Sequence, residues 1–235
     1  MPKIYLSPAY HKANNCSLPG CYETAHNNSY MDALEPFLRS CGIDFRRGPR
    51  RTPMSEEDGT TLMQQAVAES NAYGADIHYV SHTNASGNTV GGGKVRGCRP
   101  MIYKGSTRGE KLAESMVKYR KEVYPYAVQL NRRTDLYELS APAAVSFYEE
   151  HVFHDNPEDA RWFHDHMTEV ARSACKGFCE YFGIPFVEPG GGKGQSGSTV
   201  VVPSPAAAGK RVVIPFADGT AAQEFLTALK KATVE

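Results

Sequence analysis

Neither charge is in excess: 26 Lys and Arg balance 26 Asp and Glu in 235 residues. A nucleic-acid reader usually carries a basic face, so no nucleic-acid partner is expected. No run approaches the roughly 18 consecutive apolar residues of a membrane span, so none is expected either. The opening MPKIYLSPAY lacks a basic region followed by an apolar stretch. It predicts a chain made in the cytoplasm without a signal peptide. There is no CxxC among the six cysteines, Cys16, Cys21, Cys41, Cys98, Cys175 and Cys179. That argues against a four-cysteine structural zinc site, and the scatter is unlike the disulfide framework of a small secreted chain. Cys16 and Cys21 are close enough to meet in a loop. Cys175 and Cys179, four apart on a predicted helix, read as small buried hydrophobes. No phosphate cradle is present. The glycine-rich GNTVGGGKVRG lacks the GxxxxGK[ST] and GxGxxG spacings, and GKGQSG has neither strand before it nor helix after it.

What is present suits one sizeable core, since 41% of residues are hydrophobic. Lys3 to Pro8 reads as a buried strand and Glu23 to Cys41 as a helix with an apolar stripe through Tyr30, Leu34, Phe37 and Leu38. A strand is predicted over Ile43 to Arg46, a helix over Glu56 to Tyr73 and a strand over Asp76 to His82. Next come a strand over Pro100 to Tyr103, a helix over Thr107 to Tyr124 and a strand over Ala143 to Tyr148. One long helix closes the series, Pro157 to Phe182, with Pro157 in its first turn. This alternation predicts an α/β fold: a three-layer sandwich with a mainly parallel twisted sheet flanked by helices. Residues 1–187 read as the main domain and 188–209 as a flexible linker by composition. Residues 210–235 read as a short β-α tail, with a strand over Arg211 to Phe216 and a helix over Thr220 to Ala232. At that length it would pack on something else or form part of a further module.

In open α/β sheets, ligands bind beyond the carboxyl ends of the strands. His11 follows the first strand, His82 ends the third, Glu149 and Glu150 follow the AAVSFY strand, and Glu23 opens the first helix. Two histidines and a carboxylate are a known zinc ligand set, and a further carboxylate can move the proton in amide hydrolysis. Taken singly, each has an ordinary explanation as rim polarity or a first-turn helix carboxylate. His26, one turn after Glu23, is a rival ligand, and Glu149 a rival to Glu150. His78 shares the strand parity of His82 and reads as packed. His151 and His154 are within reach of the cleft from a loop, and Arg96 or Arg99 of a peptide carboxylate. His164 and His166, two apart on a helix, cannot both join one site.

Several segments together resemble the zinc-dependent N-acetylmuramoyl-L-alanine amidases, the catalytic domains of phage endolysins and bacterial autolysins, over roughly residues 2–184. KIYLSPAYH is similar to the strand that ends in a zinc histidine. Here Pro-Ala-Tyr-His-Lys stands where the family commonly reads Pro-Gly-His-Gly. ETAHNNSYMDAL resembles the helix opened by the zinc glutamate, and HYVSHTNAS the strand with the second zinc histidine. GCRPMIYKG resembles the strand after that. The segment from Arg133 through FYEEHVFHDNPEDARWF resembles the strand delivering the catalytic glutamate. The resemblance implies Zn2+ held by His11, Glu23 and His82, and Glu150 as general base and acid, from its spacing to Asp155-Asn156. It also implies a peptidoglycan substrate, cut between N-acetylmuramic acid and L-alanine, by a phage-type lysin acting on the wall after release. A zinc peptidase or carboxypeptidase of similar fold, or an inactive wall-binding module, would use the same framework. Oligomeric state is not legible.

Overall fold

The computed structural model describes residues 1–11, 14–49, 59–87, 90–190, 199–203 and 211–215. The chain divides into two compact units, Met1–Pro189 and Gly190–Glu235.

In the first unit the elements run β1 (Lys3–Pro8), α1 (Glu23–Ser40), β2 (Asp44–Arg47), α2 (Gly59–Tyr73), β3 (Ile77–Asn84), β4 (Arg99–Tyr103) and α3 (Thr107–Val123). They continue with β5 (Asn131–Arg133), α4 (Tyr137–Ser140), β6 (Val145–Phe153), α5 (Pro157–Asp165) and α6 (Met167–Phe182). Six strands form one sheet in the order β2-β1-β3-β6-β4-β5. The first four are parallel; β4 runs antiparallel to β6, and β5 is parallel to β4. The predicted α/β sandwich with a mainly parallel sheet is thus the observed one.

Strand alternation sorts the core. Ile4, Leu6, Ile77, Tyr79, Val145 and Phe147 join the large cluster formed with α1, α3 and α6. On the opposite face, Tyr5 packs with Leu62 and Ala66 of α2, and Val80 and Tyr148 pack with Leu139 of α4. Burial of each such side chain contributes about 1.5–3 kcal/mol. Helix ends follow local chemistry. Asn156 caps α5 by accepting from the Glu158 and Asp159 N–H groups, with Pro157 in the first turn. Gly183, at φ 67°, closes α6 in the left-handed region that favours glycine.

Three expectations need correction. The strand predicted to stop at Tyr148 runs on to Phe153, so Glu149, Glu150 and His151 lie inside β6 rather than in a loop. Buried partners, described below, offset the polarity that suggested a strand end. The single long helix is two, because His166 leaves helical geometry at φ −119°, ψ 21° with its ring stacked on Trp162. And Cys16 and Cys21, close enough to meet in a loop, form a disulfide, although the scatter of the six cysteines is unlike a disulfide framework. β5 and α4 carried no periodic signal, being three and four residues long.

In the second unit, β7 (Thr199–Pro203) pairs antiparallel with β8 (Arg211–Pro215). β7 lies within the stretch that composition marks as linker; its β-branched TVVV run favours extended backbone. The helix expected over Thr220 to Ala232 lies outside the described residues.

Candidate metal centre

The carboxyl edge of the parallel strands gathers the predicted residues from four elements. β1 leads into His11, α1 begins at Glu23, β3 carries His82, and β6 carries Glu150 as the Cα partner of His82. One ligand atom each from His11, Glu23 and His82 lies within 4.8 Å of the other two. Glu23 Oε1 is 3.0 Å from His82 Nδ1 and accepts the Thr83 N–H at 3.0 Å. Its Oε2 accepts from Asn14 Nδ2 at 2.5 Å and lies 3.9 Å from His11 Nε2. The rings of His11 and His82 meet edge to face at 5.1 Å, and His82 stacks on Tyr148 at 4.8 Å.

Why the chain folds this way here is local. Asn27 and Asn28 donate side-chain hydrogen bonds to the Glu23 and Thr24 carbonyls, so the polar start of α1 is satisfied within its own turns. The preceding segment doubles back, with Asn15 bridging Tyr22 and the Glu23 N–H donating to the Asn14 carbonyl. His11 and Glu23 are thereby brought to the same edge.

Electrostatics follow burial and partners. Burial alone would raise the Glu23 carboxyl, but the hydrogen bond and charge of His82, with His11 and the Thr83 N–H, hold it down at about 2. Burial would lower His82; its bond to Glu23 raises it instead. Burial pushes Glu150 up to about 7, against the pull of His82 and with the repulsion of Glu23. Glu150 Oε2 is buried without a hydrogen-bond partner. Such an orphaned oxygen beside a ligand cluster has the geometry of a group awaiting a reactant.

The rivals go elsewhere. Glu149 turns to the other face, 2.9 Å from Arg120 and accepting from the Tyr79 hydroxyl at 2.7 Å. His26 faces the Cys16–Cys21 disulfide and His164. His78 packs against Glu138, as its parity implied. His151 is wedged between Tyr30 and Phe163 near Ser81, and His154 binds Thr83, so neither lines the cleft from a loop. Arg96 is engaged by Tyr126 and Glu158, and Arg99 by the Cys98 carbonyl and the Phe153 ring. Sequence reasoning missed Asn14, Thr83 and Tyr148, which hold Glu23 and His82. Asn14 offered no signal beyond its nearness to Glu23. Tyr148 shares strand parity with Glu150, which was readable.

A sheet edge that collects two imidazoles and a carboxylate, with a further carboxylate one strand pairing away, is a candidate metal centre. The particular fold is that of N-acetylmuramoyl-L-alanine amidase catalytic domains. The domain of CwlV from Bacillus (Paenibacillus) polymyxa var. colistinus matches with a TM-score of 0.65 at 18% identity, covering 79% of this chain and all of that one. The catalytic domain of the CD27L endolysin targeting Clostridia difficile matches at 0.62 and 19%, covering 77% and 98%. Ami1 of Mycobacterium smegmatis matches at 0.62 and 15%, covering 77% and 97%. At these identities the likeness is one of fold. No protein-family model and no curated protein matches the sequence.

Proposed function

We propose that the protein is a zinc-dependent peptidoglycan amidase that cleaves the bond between N-acetylmuramic acid and L-alanine of the stem peptide. The observation that carries this reading is the convergence of His11, Glu23 and His82 within 4.8 Å, beside the unpartnered Glu150 carboxylate. The donor set fits zinc: two imidazoles and one carboxylate leave a coordination position for reactants. Glu23 is itself held by Asn14 and Thr83, the kind of outer support that metal-binding carboxylates receive. When bound there, zinc supplies Lewis-acid polarisation of the scissile carbonyl and of the attacking water.

Glu150 takes the proton from the water and passes it to the departing amine of L-alanine. Its burial and its place on the strand next to His82 keep it near the reacting atoms, and a carboxyl raised to about 7 can both accept and return a proton near neutrality. The stacked Tyr148 and the Glu23 carboxylate fix the orientation of His82.

The fold common to wall amidases supports muramoyl-peptide as substrate, and the endolysin among them supports a phage-type lysin acting on the wall after release. Under this reading, residues 1–187 carry catalysis, and the second unit, whose β7 lies in the 188–209 stretch and pairs with β8 of the 210–235 tail, serves wall binding or oligomerisation. Purified peptidoglycan digested by the protein should release new L-alanine amino termini, lost on chelation and restored by zinc. Amino termini of any other residue would identify a peptidase instead.

A further inference from the structure

A second group of donors joins the hairpin between His11 and Glu23 to the first turn of α1. His26 Nδ1 is 3.8 Å from Cys16 Sγ and 3.5 Å from Cys21 Sγ. In a tetrahedral zinc site, with Zn–S about 2.3 Å and Zn–N about 2.0–2.1 Å, ligand nitrogen and sulfur sit about 3.5 Å apart. The imidazole has that spacing from Cys21 Sγ and lies slightly beyond it from Cys16 Sγ; the sulfurs, bonded to each other, must part before an ion can sit between them. The orientation of the imidazole is fixed from behind. Nε2 is 3.2 Å from His164 Nδ1, and the ring stands edge-on to Phe163 at 5.3 Å. A ligating histidine characteristically has its other nitrogen held in this way. A cleft of about 310 Å³, lined in part by Cys21, His26, His164, Arg161 and Met167, gives an ion a path to the cluster.

The two sulfurs are joined as a disulfide. Reduction by a dithiol moves two electrons and two protons to the pair: the S–S bond breaks, two thiols form, and the dithiol becomes a disulfide. Binding of a divalent cation then displaces the two thiol protons and leaves two thiolates and a neutral imidazole on the ion.

We propose that the reduced 16–21 hairpin holds a second soft divalent cation, of the zinc class, through Cys16, Cys21 and His26. This site is separate from the His11, Glu23 and His82 centre and shares no ligand with it. It is available where thiols stay reduced and is lost where disulfides persist. Oxidation therefore exchanges one crosslink of the hairpin, the ion, for another, the disulfide.

The test uses the full chain, reduced with a phosphine, loaded with cobalt(II) under inert gas and desalted, beside an oxidised sample treated identically. Reduced protein should retain one more equivalent of cobalt than oxidised protein, as a single three-ligand site implies, with thiolate-to-cobalt charge-transfer absorption. The Cys16→Ser/Cys21→Ser variant should lose that equivalent and the absorption while keeping the wild-type circular dichroism. His82→Ala should keep the absorption even though it loses the other equivalent, so failure of the catalytic-centre reading leaves this one standing. Equal uptake by reduced and oxidised wild type would overturn the proposal. So would absorption that survives in the double-serine variant, because it would then belong to Cys41, Cys175 and Cys179, which also lie together.

Discussion

Glu149 and Glu150 are neighbours on β6 and serve opposite faces of the sheet. Glu149 is sealed in the core against Arg120, at 2.9 Å, with both side chains almost wholly buried. Glu150 lies across from His82 and keeps one oxygen unpartnered. Two adjacent carboxylates thus have separate surroundings, one paired with Arg120 and the other with an oxygen left unpartnered across from His82.

Glu150→Gln is expected to bind zinc as the wild type does and to lose about 10²–10⁴-fold in kcat, the usual share of a general acid–base group. Metal analysis together with the rate of L-alanine amino-group release checks it. Wild-type turnover in this variant would remove Glu150 from the mechanism.

Glu149→Gln should act on stability instead. It leaves the Arg120 guanidinium buried beside a neutral amide, a loss of about 3–5 kcal/mol when one member of a buried pair is removed. Urea unfolding should shift by that order, with activity per folded molecule retained.

His82→Ala and Glu23→Gln should each abolish stoichiometric zinc at the catalytic centre. Equilibrium dialysis of oxidised protein, in which Cys16 and Cys21 are tied up, takes the hairpin cysteines out of the comparison, and the difference from wild type reads the centre. Retained metal in both variants would move the site elsewhere.

His26 gives a pH signature. Burial first, then the charges of His164 and His154, lowers its pKa from 6.5 to about 4. Between those values the unfolded chain binds more protons than the folded one. Stability from this group is therefore complete above about pH 6.5, falls as pH drops, and is gone below about 4, at most about 3 kcal/mol. With oxidised, chelator-treated protein, the melting temperature of His26→Gln should depend less on pH across that window than that of the wild type. Parallel curves would contradict the assignment.

Asn156→Ala removes the side chain that accepts from the Glu158 and Asp159 N–H groups, and should cost about 1 kcal/mol in denaturant unfolding.

The order of strands and helices was legible because most elements are long and strongly patterned. Glu23 as the first residue of α1 and His82 near the end of β3 were readable from local sequence, and those two positions largely locate the centre. What stayed hidden depended on tertiary partners. The extension of β6 through Glu149 looks like a strand end until Arg120 and Tyr79 are seen to neutralise it. The break at His166 has no glycine or proline to announce it. The disulfide depends on the hairpin bridging Asn15 and Tyr22, a pairing with no periodicity of its own.

Beyond Glu150, β6 sets two residues, His151 and Val152, against the single Thr83 of β3. That bulge fixes where the ladder ends its regular count. A slip of one residue between these strands would turn Glu150 toward the hydrophobic layer and bring Glu149 or His151 opposite His82. Such a chain could remain soluble yet be inert. Specific activity per milligram of soluble protein would then serve as an assay of strand alignment, exposing misfolded molecules that a circular dichroism spectrum counts as native.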